Sequence, residues 1–254
     1  MPKPERIAAW MREQLSASGA RGFVVGLSGS VDSAVVARLA QLAAPGSVVA
    51  AFLPCHSDPQ DERDAIVVAK RFSMTTTHVD LSPAYDALVG VAQPAQHALP
   101  GGVRDTPPAD PLRGRVPLAN IKPRLRMAAL YFLANSLNYL VAGTGNRSEI
   151  AVGYFTKYGD AGCDLLPLGH LIKSQVVTLA RDLDLPSEVM DRAPSGGLWI
   201  GQRDEEEMGF SYAELERYLE EGPQSVSPAL AMRIERLVRA SDHKRTMPAM
   251  PNPV

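Results

Sequence analysis

Apolar and polar positions along the chain follow two periods, one helical and one extended. Ile7, Trp10, Met11 and Leu15 fall on one helical face, so residues 5–18 are predicted to form an amphipathic helix. "FVVGL" (23–27) and "SVVAAFL" (47–53) are short continuous apolar runs bounded by polar residues, Gly or Pro, and read as strands; "TTTHVDL" (75–81) is a third. Between them, "SAVVARLAQLA" (33–43) reads as a helix stopped by Pro45-Gly46. Asp58 and Pro59 suit the N-cap and first turn of a helix reaching Phe72. Further on, the pattern predicts a long helix over 117–136, a fourth strand over 138–143, and helices over 173–184 and 227–240. Ser211 and Glu214 form the signature of a capping box, and the proline-rich tail "HKRTMPAMPNPV" is expected to be extended. Strands alternating with helices predict an α/β fold, an open parallel sheet with helices on both faces. The unbroken apolar character of the first two strands fits burial on both sides.

One stretch follows neither period. Residues 93–116 carry five prolines and three glycines with little apolar content, and are expected to form a long flexible loop, either a lid or an inert insertion.

Composition narrows the choice of partner. With 26 basic and 28 acidic residues the net charge is -2, which gives no support for general nucleic-acid or membrane-surface binding. No apolar run approaches the roughly 18 residues that span a bilayer, and "MPKPERIAAWMREQL" has no apolar core of a signal peptide. The two cysteines, Cys55 and Cys163, fit no metal motif and read as small apolar residues, so a reducing, cytoplasmic setting is expected.

The chemistry starts at "GLSGSVDSAV" (26–35). Here a strand runs through small residues into a helix, at the carboxyl end where open α/β sheets bind ligands. Small residues let backbone N–H groups approach an anion, the helix N-terminus favours negative charge, and Ser28 and Ser33 add hydroxyls, so phosphate is the expected guest. The turn has neither the lysine of a G-x-x-x-x-G-K-[ST] loop nor the spacing of G-x-G-x-x-G. Asp32 beside an anion makes sense if both bind one metal; the plain alternative is a strand-to-helix turn capped by Asp32. Ser30 raises its own question. At a positive φ it costs roughly 1–2 kcal/mol, whereas at a negative φ its hydroxyl is a further donor.

"SGSVDS" resembles the S-G-G-x-D-S pyrophosphate loop of the N-type ATP pyrophosphatases, a loop shared by NAD, GMP, asparagine and argininosuccinate synthetases and by tRNA thiolation enzymes. "NIKPRLRM" (120–127), "GTGNRSE" (143–149), "GYFTKYGD" (153–160), "LWIGQRDEEEMG" (198–209) and "HKR" (243–245) resemble the motifs of the NAD synthetase family, in that family's order, over residues 5–251. The resemblance implies a single domain over 1–254 with a Rossmann-like, adenine nucleotide alpha hydrolase-like fold. It implies a ligase that forms a C–N bond: ATP adenylates the nicotinate carboxylate of deamido-NAD, pyrophosphate leaves, and ammonia displaces AMP to give NAD. ATP is then a co-substrate and Mg²⁺ the cofactor. No glutaminase domain is present, which resembles the short, ammonia-using form; a separate glutaminase subunit as the source of ammonia stays open.

By the same resemblance, Gly26, Leu27, Ser28, Gly29, Ser30, Val31 and Ser33 cradle ATP and its pyrophosphate, with Thr144, Lys173 and Ser195 on the phosphates or ribose. Asp32 and Glu149 match magnesium ligands, and hard carboxylate oxygens suit that ion. Asn120, Arg124, Lys157, Asp160, His243 and Lys244 match positions on deamido-NAD. Asp32, Lys173 and Asp160 are the expected catalytic residues, Asp160 as the group that holds ammonium and takes its proton. A homodimer sharing the dinucleotide site is implied. The plain readings are a dipole-favouring Glu149 early in a helix, a solvated Lys173 at a helix start, a solvated basic "HKR" tail and a solvated acidic face for Glu205 to Glu207. Two rivals remain: a nucleotide-binding relative without catalysis, and a tRNA thiolation enzyme using Cys55 and Cys163, although no basic RNA surface is visible.

Overall fold

Phe23, Val24 and Val25 have no exposed surface and face two different apolar clusters in alternation. They form β1 (Phe23–Gly26), the strand around which the molecule is built. The computed structural model describes residues 3–99 and 111–251. The chain begins with α1 (Pro4–Ser18), then β1, α2 (Val31–Ala43), β2 (Val48–Phe52), α3 (Pro59–Arg71), β3 (Thr76–His78) and α4 (Ser82–His97). Next come α5 (Pro111–Ala119), α6 (Ile121–Leu137), β4 (Leu140–Val141), α7 (Arg147–Val152) and α8 (Lys173–Asp182). The last part holds α9 (Ser187–Met190), α10 (Asp204–Met208), α11 (Tyr212–Glu221), α12 (Pro228–Ala240) and α13 (Asp242–Arg245).

The four strands are parallel, in the order β3-β2-β1-β4. Met11 of α1, Leu39 of α2 and Leu179 of α8 pack with Phe23 and Val25 on one face. Ala134 of α6, with Tyr85 of α4, packs with Val24 on the other. This is the α/β sheet the strand–helix alternation predicts. A third cluster, around Leu215 and Ile234, joins α7, α10, α11 and α12. The neighbours of β1 leave it in opposite directions, so its carboxyl end and that of β4 flank a topological switch point, where ligands bind in such sheets. Among the described residues no helix is long and apolar enough to cross a membrane.

Three expectations need correction. The helix over 117–136 is two helices broken at Asn120, because Pro123 has no N–H and in a continuous helix its ring would clash with the carbonyl of Ala119. The loop over 93–116 is helical at both ends. Pro94 sits inside the last turns of α4, which run on although that position lends no amide to the ladder, and Pro111 starts α5, where a missing N–H costs nothing. Residues 100–110 lie outside the described residues. The tail forms α13 before it extends, because Lys244 and Arg245 find backbone acceptors on the body of the protein. The Asp58 cap and the Ser211–Glu214 capping box are both present.

Candidate active site

The crevice beyond β1 and β4 holds a cavity of about 420 Å³. Its phosphate-sized end is the turn after β1. Gly29 has φ +83°, and a Cβ there would run into the carbonyl of Asp61 on α3, so the turn needs glycine at 29. Ser30 sits at φ -80° and ψ 156°, an ordinary extended conformation, and its side chain caps α2 by accepting the amide of Ser33. The serine therefore carries no backbone strain. The hydroxyls of Ser28, Ser30 and Ser33 lie 3.0–3.3 Å from one another at the positive end of α2.

Next to the serines lies a buried charge cluster. Lys173, at the first turn of α8, is 6% exposed and ion-paired to Asp32, with Glu149 at 3.7 Å. Burial works against the Lys173 charge, but the carboxylates of Asp32 and Glu149 outweigh it and raise its pKa. Burial, together with the negative charge of Asp32, pushes Glu149 up to about 8. Asn146 ties the two acids together. Its side-chain amide donates to Asp32 Oδ1 at 3.0 Å, and it forms a capping box with Glu149 at the start of α7. Two carboxylates from the ends of neighbouring strands, held around one cation, form a donor set that fits Mg²⁺, which takes one or two protein carboxylates beside phosphates.

The far wall is phenolic and acidic. Tyr212 donates to Asp204 Oδ2 at 2.9 Å and Tyr154 to Glu207 Oε2 at 2.9 Å. Gln202 donates to Glu207 Oε1 at 3.0 Å. Burial raises the Asp204 carboxyl above its ordinary value, although Lys173 and the two phenols favour its charge.

A family model described as NAD synthase matches residues 4–248. The chain belongs to the NAD synthase family. It is 45% identical over 249 residues to the NH(3)-dependent NAD(+) synthetase of Carboxydothermus hydrogenoformans, covering 98% of this chain and 96% of that one. Among solved structures it is similar to the NMN synthetase from Francisella tularensis, at a TM-score of 0.86 and 36% identity, covering 98% and 97% of the two chains. It is also similar to the NH3-dependent NAD synthetase from Campylobacter jejuni in complex with the nitrate ion, at a TM-score of 0.76 and 26% identity, with the same coverage.

The cavity is lined by Gly26, Leu27, Ser28, Ser30, Val31 and Asp32 from the β1 turn. Thr144, Glu149, Lys173 and Ser195 line it from the loops beyond β4 and around α8, and Asn120, Asp160 and Lys244 from the opposite side. Gly29 and Ser33 support the turn from behind. Lys173 is buried, so its plain reading as a solvated helix-start lysine fails. Glu149 is both dipole-favouring and part of the charge cluster. Asp160 is exposed in the cavity, and its Oδ1 accepts the amide of Thr156 at 2.8 Å. Lys244 donates to the carbonyls of Gly153 and Phe155, each at 2.8 Å, and so pins the "GYFTKYGD" segment. Arg124, Lys157 and His243 do not line the cavity. They meet one another instead, Arg124 on the Lys157 carbonyl at 3.3–3.4 Å and Lys157 on the His243 carbonyl.

Sequence reasoning missed Asn146, Arg192 and Asp204. Asn146 had a signal, the N-x-x-E of "NRSE". Arg192 holds its loop to α3 through Asp61 at 2.5 Å and Asp64 at 2.7 Å, and nothing local announces it. The acidic-face reading of Glu205 to Glu207 holds for Glu205 and Glu206, both exposed, and not for Glu207, which is partly buried. Glu205 accepts the amide of Tyr212 at 2.8 Å and Glu207 bonds Tyr154 and Gln202. Cys55 and Cys163 are both free thiols, not joined in a disulfide. Burial raises both, Cys163 to about 11, so neither is poised as a sulfur nucleophile.

Proposed function

We propose that the protein amidates deamido-NAD to NAD, with ammonia as the nitrogen source and ATP as the activating substrate. Membership of the NAD synthase family, with near-complete coverage of a 45% identical NH(3)-dependent NAD(+) synthetase, carries this reading. A nicotinate carboxylate oxygen attacks the α-phosphorus of ATP, the bond to the β,γ-pyrophosphate breaks, and an acyl adenylate forms. Ammonia then attacks the acyl carbon, AMP leaves with the bonding electrons, and one proton is lost.

The first step brings two anions together, so cations and donors must gather at the phosphates. The hydroxyls of Ser28 and Ser30 and the amides at the start of α2 are placed to hold the leaving pyrophosphate, with Ser33 bracing the turn behind them. Asp32 and Glu149 would hold Mg²⁺, which supplies charge neutralisation at the α-phosphate. Lys173 then releases Asp32 and turns to the phosphates, with Thr144 and Ser195 beside it. Gly26, Leu27 and Val31 shape the nucleotide floor. Asn120, Asp160 and Lys244 face the dinucleotide. Asp160 takes the proton from the attacking nitrogen, since its exposed carboxylate opens into the cavity. Arg124, Lys157 and His243, gathered outside the cavity, fit a dinucleotide site completed by a second copy of the chain, as a homodimer would provide. The chain acts as one domain, in the cytoplasm, on small molecules.

A second reading changes the substrate and keeps the chemistry. The likeness to the Francisella tularensis NMN synthetase favours nicotinate mononucleotide in place of deamido-NAD. The test is one assay with ATP, Mg²⁺ and ammonium, run on each substrate in parallel. The proposal expects NAD with AMP and pyrophosphate in equal amounts, and a higher kcat/KM for deamido-NAD. A higher value for the mononucleotide selects the second reading. ATP binding with no amide product from either selects a non-catalytic nucleotide binder.

A further inference from the structure

Lys122, in the first turn of α6, is 7% exposed, and among the described residues no carboxylate pairs with it. Burial lowers its pKa, against a weaker opposing effect of the Cys55 thiol. A buried cation is costly unless its donors are used. Here they are used on backbone. Lys122 Nζ donates to the Leu198 carbonyl at 2.7 Å and to the His56 carbonyl at 3.2 Å, with the Tyr85 ring centre 5.7 Å away.

Those two carbonyls belong to different walls of the cavity. His56 lies in the loop after β2, whose Pro54 and Ser57 line the cavity. Leu198 lies in segment 191–203, which lines it with Ser195 and Trp199. The two walls are not held equally. Arg126, one turn on from Lys122, donates to the Leu53 carbonyl at 3.1 Å and to the Ser57 hydroxyl at 2.9 Å. The His56 amide donates to Ser82 Oγ on α4 at 3.0 Å. The loop after β2 is thus a fixed post. Segment 191–203 forms no helix or strand, and Gly197 and Gly201, on either side of its apex, have φ +61° and +79°. Arg192 anchors its start and Gln202 its end. Among the described residues, the bond from Lys122 is the one hydrogen bond that joins residues 195–201 to the molecule outside the segment.

We propose that Lys122 is a positioning residue for ATP: it ties the apex of segment 191–203 to the loop after β2, and so sets the wall carrying Ser195 and Trp199 before ATP arrives. The inference takes ATP as the ligand from the reading above and adds a residue that does not itself line the cavity. A wall already ordered in the free protein does not have to be ordered at the expense of binding. Lysine suits the task. Its ammonium is a compact point charge with three donors, so one group reaches carbonyls on two segments. The Leu198 amide is held from the other side by Gln202 Oε1 at 2.8 Å. Both peptide groups flanking Leu198 are therefore fixed, which aims Trp199 at the cavity.

The chain has two tryptophans, Trp10 on α1 and Trp199. In a Trp10→Phe background, the fluorescence of Trp199 reports on the segment without turnover. Adding Lys122→Met should raise acrylamide quenching at least twofold in ligand-free protein and weaken ATP binding, measured by titration calorimetry, at least fivefold. Loss of uniform binding raises KM and spares kcat, so at saturating ATP the amidation rate should fall less than threefold. Lys122→Arg, which keeps a cation with several donors, should recover part of both shifts. Unchanged quenching and ATP affinity in folded Lys122→Met overturn the proposal. So does a tenfold loss of kcat with ATP affinity unchanged, which assigns Lys122 to the chemistry itself. Protein that makes no amide but shows both shifts keeps the role of Lys122 and removes the amidation. If Lys122→Met does not fold, hydrogen exchange of the wild type decides. Residues 195–201 should exchange at least tenfold more slowly than an unstructured chain, and exchange at the unstructured rate overturns the tie.

Discussion

Asn146 donates its side-chain amide to Asp32 across 3.0 Å while its side-chain oxygen caps the helix that carries Glu149. One neutral side chain with no exposed surface thus sets the spacing of two acids that come from the ends of different strands. The amide gives Asp32 a second donor beside Lys173.

Replacing Asn146 separates these two roles. Asn146→Ala should cost about 2–3 kcal/mol, the sum of a lost cap and a lost buried hydrogen bond. Asn146→Ser keeps the cap but is too short to reach Asp32. It should recover much of the stability, measured by urea unfolding, and little of the NAD-forming rate. Recovery of both by serine would remove the Asp32 contact from the mechanism.

The β1 turn tolerates change at 30 and not at 29. Ser30 has a negative φ, so Ser30→Gly should alter the ATP KM less than tenfold and stability by only a few tenths of a kcal/mol. Gly29→Ala meets φ +83° and the Asp61 carbonyl, so it should lose about 1–2 kcal/mol from strain alone and weaken ATP binding at least tenfold. Calorimetric titration with ATP on both variants checks this, and the opposite ranking would mean the turn rearranges on binding.

How much of this could be read beforehand differs between fold and site. Val24 and its neighbours announce a doubly covered strand by composition alone, and the carboxyl end of that strand is where the cavity lies. The break at Asn120 was readable too, from Pro123, but the apolar run on both sides hid it. Asp204 was not readable. It sits in "RDEEEMG", whose local pattern is that of a solvated acidic turn, and its burial depends on Tyr154 and Tyr212, brought to it by α11 and by the segment after α7. Arg192 reaches across to α3 in the same long-range way.

Lys173 holds the acids together in the absence of phosphate. Removing one member of a buried pair strands the other charge, so Lys173→Met should destabilise the protein by about 3–5 kcal/mol. Adding Asp32→Asn should restore most of that stability and none of the activity. Thermal unfolding of the single and double variants checks the first half, and pyrophosphate release the second. A single variant as stable as wild type would show that the pair carries no structural weight.

The proton acceptor has a kinetic signature. A positioned general base contributes about 10²–10⁴-fold, so Asp160→Asn should cut the rate at limiting ammonium by at least tenfold and leave ATP binding close to normal. Full rate in this variant at limiting ammonium would end the role assigned to Asp160.

Asp204 gives the protein a pH-dependent stability with a definite sign. Burial raises its carboxyl above the ordinary value of 3.8, so the folded state holds that proton more tightly than the unfolded chain does. Wherever the folded state binds more protons, stability falls as pH rises. The Asp204 contribution is therefore intact below the ordinary carboxylate value and lost as pH climbs to the raised one. Asp32, Glu149 and Glu207 add negative charge near it, and Lys173 with the Tyr154 and Tyr212 phenols opposes them, so the difference between two proteins is the clean readout. Asp204→Asn has no such proton. Its melting temperature should gain on the wild type as pH is raised above the ordinary carboxylate value, even if it starts lower through a poorer bond to Tyr212. A gap that stays constant, or moves the other way, would mean Asp204 is already charged and balanced in the folded protein.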